Sequence, residues 1–286
     1  MKIGIGLPNP IPNTDGRTIV EWARRAEELG FSSLATIDRI AYPSYESMTV
    51  LAAAAGATER IGLLTNVLLG PTRNPVLLAK EAASLDRLSG GRFTLGSAVG
   101  GRKDDFDLVG LDFSDRGKRW DAALELMHRA WRGELIEGST QPIGPRPTNG
   151  ESVPLLMGGT SAAAIERIIR YGTGWTGSGG PERAAPFVEQ LQAAWKAAGK
   201  PGAPRLVALN YFALGPNAAE GIAAYIGDYY AFLGPMVQMF IDATPRTPDA
   251  LRAIARSFED AGYDEILFDP TIASIEQVEL LAEAVL

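Results

Sequence analysis

The stretch 75-PVLLAKEAASLDRLSGGRFTLGSAVGG-101 predicts the fold of this chain. Leucine and alanine recur at helical spacing up to Leu88, and Gly90-Gly91 suits the left-handed conformation that ends helices. Phe93 to Val99 reads as a short apolar strand that runs into Gly100-Gly101. A helix followed by such a strand is one repeat of an α/β enzyme, in which the active site lies at the carboxyl ends of the strands.

The same repeat recurs along the whole chain. Further strands are predicted at 2–7, 33–37, 61–69, 154–157, 175–176, 205–214 and 265–268, and helices end near 30, 58, 88, 131, 172, 198, 233, 261 and 286. Eight strands that alternate with helices favour a (β/α)₈ TIM barrel over an open doubly wound sheet. We expect one domain over residues 1–286, with a proline- and glycine-rich excursion at 136–154.

Composition excludes several classes of function. The chain has 286 residues, a net charge of -7, no cysteine and one histidine. Mixed charges of both signs argue against nucleic acid as a partner, and the lack of cysteine excludes thiolate catalysis, disulfides and zinc clusters. One histidine excludes a histidine-based metal site, so no metal is predicted. No apolar run approaches the ~20 residues of a membrane helix and no signal segment is visible, so we expect a cytoplasmic protein without membrane contact.

The blocks 79-AKEAASLDRLSGGRFTLGSAVGG-101 and 104-DDFDLVGLDFSDR-116 resemble the signature region of the bacterial luciferase-like monooxygenase family. The likeness extends over nearly the whole chain, from residue 2 to 286. It implies a TIM barrel that binds FMN or the deazaflavin coenzyme F-420. The activity implied first is a two-component monooxygenase, which takes reduced FMN from a separate flavin reductase and uses O₂ to oxygenate a bulky small-molecule organic substrate. Members of the family are often dimers, so a homodimer is a further expectation.

Gly158-Gly159-Thr160-Ser161 follows a predicted strand and opens a helix. Backbone N–H groups at the positive end of a helix bind phosphate, although the same residues also make an ordinary turn with a helix cap. The resemblance implies that the FMN phosphate lies on this loop. In contrast, residues 172–177 match G-x-G-x-x-G literally but follow a helix and contain a strand, which is the wrong order for a dinucleotide fingerprint.

Asp38 and Arg39 end the second predicted strand at the catalytic rim, where the resemblance implies a histidine in the luciferases proper. We predict that Arg39 orients an anionic group and that Asp38 acts as an acid or base. The alternative is that the two side chains form a buried structural ion pair. Without a histidine here, the proton chemistry must fall to a carboxylate, a tyrosine or water. The single histidine, His128, is predicted to be structural.

The remaining cofactor contacts are predicted partly from the resemblance. Asn66-Val67 resembles the position of a non-prolyl cis peptide beside the flavin ring, and Ala98 lies near the end of the fourth predicted strand, just before Val99. Trp175 is either barrel core or a flavin contact, in a block where Thr173 replaces the family's usual aspartate. Val99 stands where the luciferases have an arginine that meets the phosphate. The available replacements for that cation are Arg102, Arg116 and Arg119, of which Arg102 is our candidate.

Three other functions stay open. Hydride transfer by coenzyme F-420 uses the same fold, and a basic groove at the rim would favour its long anionic tail. A flavin-binding protein without catalysis is compatible with the missing histidine and arginine, since a fold does not determine function. A Schiff-base aldolase barrel is disfavoured because no lysine ends a predicted strand.

Overall fold

Parallel strands close into a barrel in the computed structural model, which describes residues 1–286. The strands are β1 (Lys2–Gly6), β2 (Ser33–Thr36), β3 (Gly62–Thr65), β4 (Leu68–Leu69), β5 (Phe93–Ala98), β6 (Leu155–Met157), β7 (Gly174–Ser178), β8 (Arg205–Phe212) and β9 (Glu265–Pro270). Their order is β3-β2-β1-β9-β8-β7-β6-β5-β4, and a β3–β5 pairing closes the ring. The predicted TIM barrel is confirmed.

One predicted strand is interrupted. The sequence favours a continuous strand over 61–69, but the structure divides it into β3 and β4 on either side of Asn66-Val67. Both pieces pair with β5, β3 at Leu63↔Phe93 and β4 at Leu68↔Ser97. Together they occupy one of the eight positions of the barrel.

Eleven α-helices follow or separate the strands. They are α1 (Gly16–Leu29), α2 (Ser47–Ala57), α3 (Pro75–Leu88), α4 (Lys103–Leu108), α5 (Arg116–Trp131), α6 (Ala162–Tyr171), α7 (Pro181–Ala197), α8 (Ala218–Tyr229), α9 (Val237–Ala243), α10 (Pro248–Asp260) and α11 (Glu276–Val285). The ends of α1 show ordinary capping chemistry. Asp15 caps α1 through the Arg17 N–H, and Gly30 closes that helix with a φ of 95°. No helix of the structure combines the length and apolar character needed to cross a membrane.

Two stretches differ from the sequence prediction. The loop expected at 100–114 contains helix α4, whose first turn carries Asp104 and Asp105, where the helix dipole favours negative charge. The helix expected to reach 233 ends at Tyr229 instead. A 3₁₀ segment (Ala231–Met236) and α9 follow it, because Gly234 adopts a φ of 57° and Pro235 cannot continue a helical hydrogen-bond pattern.

The barrel has an apolar inner layer beneath its carboxyl rim. Small and branched side chains from five strands form this layer: Ala35, Leu64, Leu156, Val207 and Leu267. The larger core lies between the strands and the surrounding helices. Residues 132–154 contain no helix or strand and rest on the outside of the barrel, where the Thr148 N–H donates to Asp86 Oδ2 at 2.6 Å. A site at the rim therefore has an apolar floor.

Candidate functional site

A cavity of about 500 Å³ opens at the carboxyl ends of the strands. It lies above the inner apolar layer and is walled by residues at strand ends and in the loops that follow them. Ten of the eleven predicted site residues line it: Asp38, Arg39, Asn66, Val67, Ala98, Arg102, Gly158, Gly159, Thr160 and Trp175. The topology therefore brings nearly all the candidates into one place.

Ser161 is the predicted residue that does not line the cavity. Its hydroxyl accepts a hydrogen bond from the Ala164 N–H at 3.2 Å and so caps α6. This is the ordinary helix-capping role that the sequence left open for the Gly158–Ser161 loop.

The Gly158-Gly159 turn brings backbone against the cavity. A Cβ atom on Gly158 would lie 3.0 Å from Ala98 Cβ and 3.6 Å from Val67 Cγ1, and Gly159 has a φ of 95°. The Trp175 indole N–H donates to the Gly159 carbonyl at 2.8 Å, which fixes the turn from the β7 side. Trp175 is both a lining residue and largely buried, so the two roles considered for it are not exclusive.

The peptide bond between Asn66 and Val67 is cis. Asn66 Oδ1 accepts a hydrogen bond from the Thr176 hydroxyl at 2.6 Å. The Asn66 amide nitrogen, in contrast, is buried and has no partner in the protein. A buried amide donor without an acceptor is costly, so this N–H₂ group is available to an acceptor on a bound molecule.

Asp38 is paired with Arg73, not with its neighbour Arg39. Its Oδ2 accepts the Leu69 N–H at 2.9 Å, and Arg73 Nη2 lies 3.2 Å from both carboxyl oxygens. Burial raises the pKa of Asp38, while Arg73 opposes that rise. The alternative of a buried Asp38–Arg39 pair is therefore wrong, because Asp38 pairs with Arg73 and Arg39 pairs with Asp104 and Asp105.

Arg39 is held by α4. Its Nε donates to Asp105 at 3.1 Å and one Nη donates to Asp104 at 2.8 Å. Asp105 is 1% exposed and also accepts the N–H groups of Ile40 and Ala41 at 2.8 Å each. This network fixes the loop after β2, and Arg39 lines the cavity from that loop.

Arg102 packs into an aromatic cluster at the cavity mouth. Its guanidinium lies 4.5 Å from the Tyr229 ring centre and 4.1 Å from that of Phe232, and it donates to the Tyr229 carbonyl at 2.9 Å. The two other arginines considered for a phosphate are engaged elsewhere. Arg116 binds the Gly100 and Phe113 carbonyls, and Arg119 pairs with Asp115.

The residues missed from the sequence line the same cavity or hold those that do. They are Arg73, Asp105, Tyr211, Tyr229 and Tyr230. Tyr211 had a usable signal, since it lies near the end of a predicted strand. Arg73 and Asp105 lie on a loop and a short helix, and Tyr229 and Tyr230 lie at the end of α8, so only the folded chain brings these segments to the rim.

A groove of about 600 Å³ adjoins the cavity and shares four of its residues: Thr160, Trp175, Ser178 and Tyr230. It runs between α7 and the segment after α8, past Phe187 and Phe240. Arg183 is its one cationic lining residue. The groove extends the site along the rim of the barrel.

His128 lies on the outer helix α5, against the rings of Trp131 and Tyr171 at centroid distances of 5.0 and 4.9 Å. Burial lowers its pKa to about 4, and Arg132 adds to that effect. The side chain is remote from the cavity and packs as predicted. No group of three or more histidine and carboxylate side chains is placed to hold a metal ion.

Comparison with known proteins agrees with the fold. Residues 1–243 match the family model described as luciferase-like monooxygenase. An uncharacterized protein of Mycobacterium tuberculosis is 32% identical over 218 residues, which are 65% of this chain and 74% of that protein. The 4-hydroxyprotoasukamycin monooxygenase of Streptomyces nodosus subsp. asukaensis is 31% identical over 155 residues, 51% of this chain and 42% of that enzyme. An FMNH2-dependent dimethylsulfone monooxygenase of Pseudomonas putida is 25% identical over 202 residues, 67% and 54% of the two chains.

Solved structures share the whole architecture. The monooxygenase RslO1 from Streptomyces bottropensis superposes with a TM-score of 0.83 at 22% identity, covering 99% of this chain and 98% of that one. The coenzyme F-420-dependent tetrahydromethanopterin reductase from Methanopyrus kandleri gives a TM-score of 0.77 at 20% identity, with the same coverage. At these identities the likeness shows the fold alone.

Proposed function

The chain belongs to the luciferase-like monooxygenase family, and on that premise we propose that it is an FMN-dependent monooxygenase. It takes reduced FMN from a separate flavin reductase and oxygenates a bulky organic substrate with O₂. The observation that carries the proposal is the rim cavity, in which the Gly158-Gly159 backbone, Val67 and the unpartnered Asn66 amide face one space. Relatives named as monooxygenases, one of them FMNH2-dependent, support the same reading.

The residues present fit a flavin. The Asn66 amide nitrogen is an unused buried donor, and an isoalloxazine ring carries carbonyl and nitrogen acceptors for it. Gly158 leaves the space that any larger side chain would fill beside Ala98 and Val67. When bound, reduced FMN supplies the electrons that activate O₂ for oxygen transfer. The protein binds and orients, and the cavity excludes water around the reacting atoms.

Specific roles follow for the predicted residues. Gly158, Gly159 and Thr160 form the turn that holds the ribityl phosphate side, together with the N–H groups that open α6. Arg39 orients an anionic group at the opposite wall, braced by Asp105. Asp38 also lines the cavity and is fixed by its ion pair with Arg73. Its carboxyl group can accept a hydrogen bond or a proton from a substrate hydroxyl.

The proposal is tested by cofactor choice. The purified protein is titrated with FMN and with coenzyme F-420, and we expect tighter binding of FMN. The protein is then supplied with reduced FMN, labelled O₂ and a panel of organic compounds, and labelled oxygen should appear in a product by mass spectrometry. Tenfold tighter binding of coenzyme F-420, about 1.4 kcal/mol, would refute the FMN assignment. Flavin binding without turnover of any compound would favour a binding protein instead.

Hydride transfer by coenzyme F-420 is the second candidate. The adjoining groove favours it, because the groove has room for a tail longer than the FMN phosphate and contains the cation Arg183. Arg183→Gln distinguishes the two. The substitution should weaken the binding of coenzyme F-420 by about tenfold if its tail lies in the groove, and should leave the binding of FMN unchanged.

A further inference from the structure

Two tyrosine hydroxyls meet at the wall of the cavity. Tyr211 lies on β8 and Tyr230 follows α8, and both line the cavity. Their hydroxyl oxygens are 3.0 Å apart, which is a hydrogen bond in which either group can donate. In such a pair one hydroxyl donates its proton to the other, and the second hydroxyl can donate its own proton to a ligand. The pair therefore presents a donor to whatever fills the cavity.

Both tyrosines keep their protons at neutral pH. Burial raises the pKa of Tyr211 well above its usual value, and burial also raises the pKa of Tyr230. The two rings cross almost at right angles, with centroids 5.9 Å apart. The hydroxyl groups of the two rings therefore meet, although Tyr211 lies on β8 and Tyr230 follows α8.

The carboxyl group of Asp269 is buried next to the tyrosine pair. Asp269 is the β9 residue that pairs with Tyr211, so the two side chains point to the same face of the sheet. Asp269 is 2% exposed, and its Oδ2 has no hydrogen-bond partner. A Cβ atom on Gly6 would lie 1.7 Å from Asp269 Oδ1, so the glycine makes room for this carboxyl.

An unpaired carboxylate in such a place would be very costly, and the group is held neutral instead. Burial alone, with no cation to oppose it, raises the pKa of Asp269 well above its usual range. A neutral Asp269 does not repel an anion bound at the tyrosines. Arg102, whose guanidinium is 5.4 Å from the Tyr230 ring centre, makes the same wall more positive.

The surroundings also limit the shape of the ligand. The rings of Trp175, Tyr211, Tyr229 and Tyr230 line the cavity, and flat aromatic molecules pack well against such rings. We propose that the Tyr211–Tyr230 hydroxyl pair is an oxyanion-binding site, and that the substrate is an aromatic compound bound through an ionised hydroxyl group. This inference rests on the proposed function in one respect, that the ligand is the organic substrate of the same cavity.

The probe for this site is 4-nitrophenol, because its anion absorbs visible light and its neutral form does not. Its methyl ether, 4-nitroanisole, has the same ring without the ionisable group. The full-length protein without cofactor should bind the phenol at least ~10-fold more tightly than the ether, since a hydrogen bond to a charged group contributes that much. The pH at which the bound phenol turns yellow should fall below that of the free phenol.

Tyr230→Phe and Tyr211→Phe each remove one hydroxyl and keep the ring. Each variant should lose about tenfold in affinity for 4-nitrophenol and keep the wild-type affinity for 4-nitroanisole. Tyr171→Phe, on the outer helix α6, is the matched control and should change neither. Unchanged phenol binding in both cavity variants, or no preference of the wild type for the phenol, overturns the proposal.

Asp269→Asn tests the neutral carboxyl. Because an amide has nearly the same shape and no charge, phenol binding and folding should stay close to wild type. The wild-type protein should show the infrared carbonyl stretch of a protonated carboxylic acid at neutral pH, and Asp269→Asn should lack it. Absence of that band in the wild type would show that Asp269 is ionised and would contradict the neutral wall inferred for the site. FMN titration is scored separately, so a protein that binds FMN without phenol preference refutes only this inference.

Discussion

At the scale of single residues, two ion pairs fix the rim, and the adjacent residues Asp38 and Arg39 each belong to a different pair. Asp38 binds Arg73, while its neighbour Arg39 binds Asp105. Each pair joins the loop after β2 to a different part of the chain, one to the loop before α3 and the other to α4. The two pairs hold the loop from two sides, and this explains how adjacent residues take up separate roles at the cavity.

Asp38→Asn is predicted to destabilise the protein by about 2 kcal/mol, because it leaves the Arg73 guanidinium less compensated in a buried position. Urea unfolding measures the change. Asp104→Asn is the control, since Asp104 contacts Arg39 from an exposed position and should cost under about 1 kcal/mol. Full stability together with a ~10²-fold loss of turnover would instead make Asp38 an acid or base of the reaction.

His128 predicts a pH dependence of stability. Its folded pKa is lowered to about 4 from an ordinary 6.5, so the unfolded chain binds the proton more tightly. The stability that neutral His128 provides is present above pH 6.5 and is lost as the pH falls toward 4. Between pH 7 and 5 we expect a loss of up to about 2 kcal/mol, reduced by partial exposure of the ring.

The measurement is urea unfolding at a series of pH values. His128→Gln has no group that titrates in this window, and the chain has no other histidine, so its stability should fall less over the same range. Equal pH profiles for the two proteins would contradict the assignment.

At the scale of elements, the turn between β6 and α6 shapes the cavity. Gly158 and Gly159 bring backbone beside Ala98 and Val67, and Trp175 holds the turn in place through the Gly159 carbonyl. The same turn leads into α6, where the Ser161 side chain caps the helix by accepting the Ala164 N–H. A bound flavin would be sensitive to any side chain added here.

Gly158→Val is predicted to reduce FMN affinity by at least ~10-fold, because the added atoms enter the space between the turn and Ala98. Quenching of flavin fluorescence during a titration measures the affinity. Gly56→Ala serves as the control, since Gly56 lies in α2 with open space beside it and should leave affinity unchanged. Wild-type affinity in folded Gly158→Val protein would remove the turn from the cofactor site.

At the scale of the whole molecule, the barrel depends on its closing seam. Thr65, the last residue of β3, donates its hydroxyl to the Gly96 carbonyl at 2.8 Å and accepts the Gly96 N–H at 3.0 Å. A Cβ atom on Gly96 would lie 2.0 Å from the Thr65 carbonyl oxygen, which belongs to the backbone and cannot turn away. The seam therefore closes only over a glycine.

Gly96→Ala is predicted to destabilise the fold by about 3 kcal/mol or more, because the strands must separate to admit a methyl group. Circular dichroism during thermal and urea unfolding measures the change, with Gly56→Ala again as the control. A variant with wild-type stability would show that the seam has more room than the structure describes.

The sequence by itself determined the repeat, the barrel and most of the cavity wall. Local signals sufficed for these, since strand ends such as Asp38 and Gly158 face one rim whenever parallel strands close into a barrel. The end of α1 at Gly30 was likewise readable from a single residue.

Only the tertiary structure decided the partners. The alternative paired Asp38 with its neighbour Arg39, but Asp38 lies against Arg73, 35 positions away in the chain. Tyr211 meets Tyr230 across an intervening helix, and Asp269 lies beneath them because β9 pairs with β8. Such contacts depend on how loops and short helices settle over the rim. Periodicity in the sequence does not predict this packing, because the interactions join segments that are far apart along the chain.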